Sequence, residues 1–226
     1  MTDIHGDAAS REAGPDRAGD GLLSPVAYTR EDESPDDRFY SFPRRVVHID
    51  DGAIAALRGL YAALVPASAT VLDLMSSWRS HLPPTFTGTV IGLGMNRDEM
   101  RDNPQLGQGI VHDLNREPSL PFNDAAFDAA LCAVSVQYLT RPVDVFREVA
   151  RCLRPRAPFI VSFSNRCFPE KAVALWHAAD DAQHGAIVTA YFAASAAFTD
   201  IEQWAHPSPA GDPLYAVWAS RAEERR

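Results

Sequence analysis

The chain has 226 residues, 46% of them hydrophobic and 23% charged, with a formal net charge of −9. This suits one soluble domain, with or without a tail, and supplies enough apolar residues for a sizeable core. The acid excess argues against a nucleic-acid binder that works through bulk positive charge.

Lys171 is the sole lysine, so arginine carries the positive charge, a pattern that reads as coding bias. Cys132, Cys152 and Cys167 are spaced 20 and 15 residues apart, which fits neither a metal pair nor a secreted disulfide framework. No metal site is expected. No run of roughly 18 apolar residues marks a membrane span, and no basic-then-apolar leader opens the sequence. The expected compartment is a reducing cytoplasm.

In chain order, residues 1–38 come first. They carry a net −6, which leaves −3 for residues 39–226. Gly, Pro, Ser and Asp dominate them, and such a segment cannot bury enough apolar surface to offset its ordering entropy. The expectation is a disordered acidic tail over 1–38 and a folded domain over 39–226. A helix is predicted over 49–65, with Asp50 or Asp51 as its cap and Ile54, Leu57, Tyr61, Leu64 and Val65 at helical spacing. Short β-rich runs follow at 70–74 and 89–93. Asn96 with Glu99 approximates a capping box for a helix that must stop before Pro104. Strands are predicted near 110–113, 127–136 and 159–163, with a helix over 143–153 between the last two. Two helical stretches broken near Gly185 should cover 171–197, and two closing strands, 200–206 and 214–220, should pair antiparallel at one edge. Alternating near-continuous apolar strands and helices indicate an α/β fold: a doubly wound, mostly parallel sheet.

In such a sheet, ligands bind beyond the carboxyl ends of the strands, so the polar residues there are the first candidates. The runs Asp113-Leu114-Asn115, Leu120-Pro121-Phe122-Asn123-Asp124 and Phe127-Asp128 resemble those of class I S-adenosylmethionine-dependent methyltransferases of the small-molecule type. Tyr138-Leu139, Phe146-Arg147-Glu148-Val149 and Arg151-Cys152-Leu153-Arg154-Pro155 extend the resemblance, and Val71-Leu72-Asp73-Leu74 looks like the strand that enters the cofactor loop. The resemblance spans roughly residues 66–166. It implies a Rossmann-like, seven-stranded sheet with S-adenosyl-L-methionine as cofactor. It also implies that Asp73 holds the methionine end, and that Asp113, with the backbone at Leu114, holds the adenine edge. A solvated or turn-capping carboxylate is the plainer alternative for each.

Three departures stand out. The loop after Asp73 is Met75-Ser76-Ser77-Trp78-Arg79-Ser80, where the family has glycines; Ser76 and Ser77 are expected to take that turn, and Trp78 to point away or wall the site. The acidic residue expected after the second strand is missing, with Asn96 the nearest polar substitute. Arg156-Ala157-Pro158 stands for Pro-Gly-Gly. The Gly92-Leu93-Gly94 run imitates a dinucleotide fingerprint, but Arg97 stands at its third glycine and it follows the wrong strand, so a nicotinamide dehydrogenase is disfavoured.

On the acceptor side, Gln137 and Tyr138 would face the transferable methyl, Ser135 would line the cofactor, and His81 could serve as a base near neutral pH. Asn165 and Arg166 could orient a polar acceptor, and Trp176, His177, Tyr191 and Phe192 could border it, although packing explains these four as well. The aromatic and basic run from Phe39 to His48 could fold over the site as a lid, bringing Arg44 or Arg45 to the cofactor carboxylate and Tyr40 to its adenosine side. A helix-entry packing segment is the alternative. The expected partner is a small-molecule methyl acceptor, with no nucleic acid and no membrane; oligomeric state is not legible. Two functions follow: methyl transfer to a small molecule, or a catalytically silent relative that binds or scaffolds.

Overall fold

The structure is a computed structural model, and residues 24–223 are described. Strands β1 (Thr70–Leu74), β2 (Thr89–Gly94), β3 (Gln108–Val111), β4 (Ala129–Ala133), β5 (Pro158–Phe163), β6 (Phe198–His206) and β7 (Leu214–Arg221) form one sheet. Its order is β3-β2-β1-β4-β5-β7-β6. The first five strands are parallel, while β7 pairs antiparallel with both β5 and β6. This is the expected α/β architecture. Chain order reverses between β1 and β4, where Leu74 lies beside Leu93 on one side and Cys132 on the other. A crevice opens at such a reversal.

Helices α1 (Asp36–Phe39) and α2 (Asp51–Leu64) precede the sheet, and α3 (Arg97–Arg101) follows β2. The others are α4 (Pro142–Cys152), α5 (Ala174–His177) and α6 (Asp181–Ser195). The Asp50 side chain accepts from the Ala53 amide at 2.8 Å, capping α2, whose Ala53, Leu57 and Tyr61 are buried with Val71 and Leu131 in one core. On the opposite face Val145, Phe146 and Val149 of α4 pack with Tyr191 and Phe192 of α6 against Phe159. Apolar layers on both faces explain why the central strands read as continuous hydrophobic runs.

Three local expectations are corrected. The fourth strand stops at Ala133, because Val134 turns into the left-handed region (φ 49); Phe127 makes only an isolated bridge to Leu153. Gly185 does not break a helix. It lies inside α6, where a Cβ would meet Gln203 Oε1 at 3.1 Å, and the true start is Asp180, which forms a capping box with Gln183. In place of a helix from 171, Pro169–Lys171 is a single 3-10 turn and α5 is one turn long.

The tail expectation fails for residues 24–38; residues 1–23 lie outside the described residues. Pro25–Tyr28 form a 3-10 turn, and Arg30 bridges Val173. Arg30 Nη1 meets Asp36 at 2.8 Å, and Lys171 Nζ lies 3.0 Å from Asp32 and 3.2 Å from Asp36, donating also to the Ser34 carbonyl at 2.8 Å. Lys171 has no solvent exposure. Composition misses this because paired charges, together with Tyr28 packed on the core, pin the segment: Asp36 answers two cations, and a buried charge persists only when so paired.

Candidate functional site

A cavity lies at the carboxyl ends of β1, β2 and β4 and encloses about 1150 Å³, including its open mouth. Asp73, Ser76, Ser77, His81, Asn96, Asp113, Leu114, Ser135 and Tyr138 line it, as do Tyr40 and Arg44. Of the residues expected to touch the cofactor or carry the transfer, Gln137 is outside the lining: it is buried, and its amide donates to the Val134 carbonyl at 3.0 Å. That bond follows from the turn after β4, which carries the side chain inward. Asn165 and Arg166 also lie outside the lining, and Arg166 faces Asp212 at 3.6 Å. Trp176, Tyr191 and Phe192 are core residues.

The loop after β1 is organised by Asp73. Ser76 Oγ and Ser80 Oγ both donate to its Oδ2, at 2.7 and 2.6 Å, and Asn103 Nδ2 donates to Ser80 Oγ at 2.9 Å. Only neutral donors reach this buried carboxyl, so burial pushes it up to about 6. The loop needs no glycine of its own, because the close approach is made by the neighbouring strand. The Ser76 amide donates to the Leu93 carbonyl, and a Cβ on Gly94 would stand 2.1 Å from the Ser76 carbonyl oxygen. The glycines that imitate a dinucleotide fingerprint are therefore room for Ser76. Met75, at φ 54, takes the left-handed turn that glycine favours. Trp78 walls the cavity; its Nε1 donates to the Val46 carbonyl at 3.0 Å and the Arg79 guanidinium lies 3.8 Å over its ring.

At the end of β2, the acceptor oxygen of Asn96 is already engaged. Its Oδ1 accepts from the Asp98 and Glu99 amides, capping α3, and its Nδ2 donates to the Tyr40 carbonyl at 2.8 Å. The capping box is half formed, since Glu99 does not turn back to Asn96. Glu99 is 6% exposed and lines the cavity, and its carboxylate accepts from Ser77 Oγ at 2.6 Å and from the Arg44 amide. Sequence reasoning named Glu99 only as a cap partner. The available signal was a carboxylate one helical turn past a strand end that lacked its acid.

Beyond β3, Asp113 Oδ1 accepts from the Asn115 and Arg116 amides at 3.0 and 3.2 Å. Among the described residues its Oδ2 has no protein partner. Asn115 Nδ2 donates to Asp36 at 2.8 Å and to the Tyr138 carbonyl at 3.0 Å, joining three segments.

The run from Phe39 to His48 roofs the cavity, as the lid reading expects. Arg44 is not directed to an anion: its guanidinium lies 3.7 Å over the Phe39 ring and donates to the Phe39 carbonyl. Arg45 pairs with Asp102. His48 packs edge-on against Phe168 at 4.6 Å, and Phe168 stacks on Tyr138 at 6.1 Å. Tyr138 Oη accepts from the Phe168 amide at 2.8 Å, and burial raises its pKa, so it stays a neutral phenol. Burial lowers His48, with help from Arg166, and lowers His81 to about 4, with help from Arg58 and Arg79. Both imidazoles are neutral at physiological pH, and among the described residues neither has a hydrogen-bond partner. Among the described residues no group of acidic, His and Cys side chains is placed to hold a metal, and no helix is long and apolar enough to cross a membrane.

Residues 81–161 match the family model described as a methyltransferase domain. No curated protein matches the chain. Among solved structures, a methyltransferase described as S-adenosylmethionine-dependent, from Methanosarcina mazei, aligns at 14% identity and TM-score 0.51, covering 73% of this chain and 98% of its own. The PH0226 protein of Pyrococcus horikoshii aligns at 17% identity and TM-score 0.56, covering 81% and 98%. The [4+2]-cyclase SpnF aligns at 15% and TM-score 0.56, covering 82% and 91%. These likenesses establish the fold.

Proposed function

We propose that this chain, whose fold is that of class I methyltransferases, binds S-adenosyl-L-methionine and transfers its methyl group to a small-molecule acceptor. The observation that carries the reading is a pair of acidic side chains lining one crevice, Asp73 near the end of β1 and Asp113 just past β3, where the chain order reverses. The residues present fit the cofactor. Asp113 keeps an unpartnered oxygen for the adenine amino group, beside Leu114 and Ser135. The carboxyl group of Asp73, lacking any cation of its own, suits the methionine ammonium, whose charge would draw it back to the ionised form. Ser76 and Ser77 edge the same space.

Bound there, the cofactor supplies a sulfonium-activated methyl group. The rest is alignment and proton handling by the chain's own residues. Tyr138 presents a neutral hydroxyl to orient the acceptor. His48, neutral and without a hydrogen-bond partner among the described residues, can accept the proton that the acceptor gives up as its heteroatom gains the methyl. His81, which burial and the Arg58 and Arg79 charges lower to about 4, is a poor base at neutral pH, contrary to the expectation from sequence. The aromatic walls, Tyr40, Trp78, Tyr138 and Phe168, favour an acceptor with a flat apolar body over a highly charged one.

A second reading, a silent binding module, is favoured by one observation: the acceptor oxygen of Asn96, at the end of β2, is already taken by the Asp98 and Glu99 amides. The shared fold does not decide between them, since SpnF carries the fold with a cyclase's name. Incubation with methyl-labelled cofactor and a panel of phenols, amines and carboxylic acids separates the two. Acceptor-dependent release of S-adenosylhomocysteine supports methyl transfer. Cofactor binding without release on any acceptor favours the silent module.

A further inference from the structure

One wall of the cavity runs without a break from Tyr138 to Arg79. Phe168 stacks on Tyr138, His48 packs edge-on against Phe168, and the Val46 carbonyl, two residues before His48, accepts the Trp78 indole N–H. The Arg79 guanidinium lies 3.8 Å over the Trp78 ring, and its Nη1 donates to the Trp78 carbonyl at 2.7 Å. All six of these residues line the cavity. The arginines around the wall are not alike. Arg45 pairs with Asp102 and Arg166 with Asp212. Arg79, and Arg58 of α2, meet no carboxylate among the described residues. His81 also lines the cavity, and among the described residues it has no hydrogen-bond partner. Its backbone stands in the left-handed region at φ 57, a conformation that residues other than glycine rarely hold and that clusters at ligand sites.

With Nη1 on the Trp78 carbonyl, Nε and Nη2 of Arg79 remain for a two-pronged bond, which a planar carboxylate matches. A neutral imidazole keeps one N–H to donate and brings no negative charge of its own. The charges of Arg58 and Arg79 that make His81 a poor base also make this corner favourable to an anion. We propose that Arg79 and His81 receive the carboxylate of a flat acceptor, whose other end lies along the wall and reaches Tyr138 and His48. The acceptor class is then an aryl or conjugated carboxylic acid: one negative charge on an apolar body, which suits the aromatic lining. This inference rests on the reading of the cavity as a methyl-transfer site and names the acceptor of that site. The cofactor carries a carboxylate of its own, and the experiment separates the two sources.

The test uses the full chain saturated with S-adenosylhomocysteine, with cinnamate as the probe and cinnamamide, of the same shape without the charge, as its control. In calorimetry cinnamate should bind about tenfold more tightly than the amide, the worth of one charge-assisted pair. Arg79→Met should abolish that preference, and Arg79→Lys, which keeps a charge without the fork, should retain part of it. His81→Gly suits the positive φ but removes the donor, and should weaken cinnamate about fivefold. His81→Asn tolerates the same backbone and restores an N–H, so it should recover part of the loss. S-adenosylhomocysteine itself should bind Arg79→Met within about twofold of the wild type. Equal affinities of cinnamate and cinnamamide, in a wild type that binds S-adenosylhomocysteine, would overturn this inference and leave the cofactor reading standing. A preference that survives Arg79→Met would place the anion elsewhere and overturn it as well. A loss of about tenfold in S-adenosylhomocysteine affinity in Arg79→Met would give these residues to the cofactor's carboxylate instead. A wild type that does not bind S-adenosylhomocysteine would overturn the cofactor reading and this inference with it.

Discussion

The two flanks of the crevice are built differently. Beyond β3, Asp113 is held by amides two and three residues away. Beyond β1 and β2, the bonds span the chain: Ser77 reaches Glu99 over 22 positions, Val46 reaches Trp78 over 32, and Tyr40 reaches Asn96 over 56. A local motif can specify the setting of Asp113 itself, although its neighbour Asn115 ties that flank to Asp36 over 79 positions. The second flank exists only once the roof segment has docked, so its residues are chosen for one another. The β3 flank should therefore tolerate change to its one carboxylate without loss of fold, while the β1–β2 flank should answer in stability as well as binding.

The largest effect is expected where the roof's approach is pinned. Lys171→Met leaves Asp32 without its buried cation and Asp36 with Arg30 alone, and should cost about 3–5 kcal/mol in chemical denaturation. A loss under 1 kcal/mol would mean that residues 24–38 contribute little to the domain. Next is Gly94→Ala. Its Cβ would strike the Ser76 backbone, so the cost should approach about 3 kcal/mol, whereas Gly107→Ala, whose Cβ has no neighbour nearer than 3.6 Å, should be far milder. Equal melting temperatures for the two variants would break the account of the glycine-free loop.

Asp73→Asn has a signed pH dependence. The folded carboxyl is raised above its ordinary 3.8 to about 6, so folding favours the protonated form, and wild-type stability from this group falls as pH climbs from about 4 to about 6. Asparagine can accept both serine hydroxyls on its one oxygen and has no proton to lose. The variant should thus gain on the wild type across that window, on the order of 2 kcal/mol by pH 7. The contribution of His81 runs the other way, being lost as pH falls from 6.5 toward 4, and it cancels in the comparison. A stability difference that does not change with pH would sink the assignment. The smallest effect belongs to the β3 flank: Asp113→Ala should weaken cofactor binding about tenfold, roughly 1.4 kcal/mol, with the melting temperature almost unchanged. Affinity equal to wild type would displace the adenine end from Asp113.

The same division explains what was legible in the sequence. The sheet, its antiparallel close and the placing of Asp73, Asp113, Ser135 and Tyr138 follow from apolar periodicity and short-range motifs, because those positions are set by strands whose ends the sequence marks. Glu99 was hidden because its role depends on Arg44, 55 residues away. Gln137 looked exposed to the site because a strand running to 136 would point it there; the left-handed Val134 ends the strand early and turns it inward. The Arg30–Asp36–Lys171 cluster was hidden by composition, which counts charges but not their pairing.

The central claim is that this crevice takes S-adenosylmethionine, and titration calorimetry of the intact wild-type chain with S-adenosylhomocysteine tests it most directly. The account predicts saturable one-to-one binding that weakens about tenfold in Asp113→Ala. No heat of binding up to millimolar ligand, from protein shown to be folded, would contradict it.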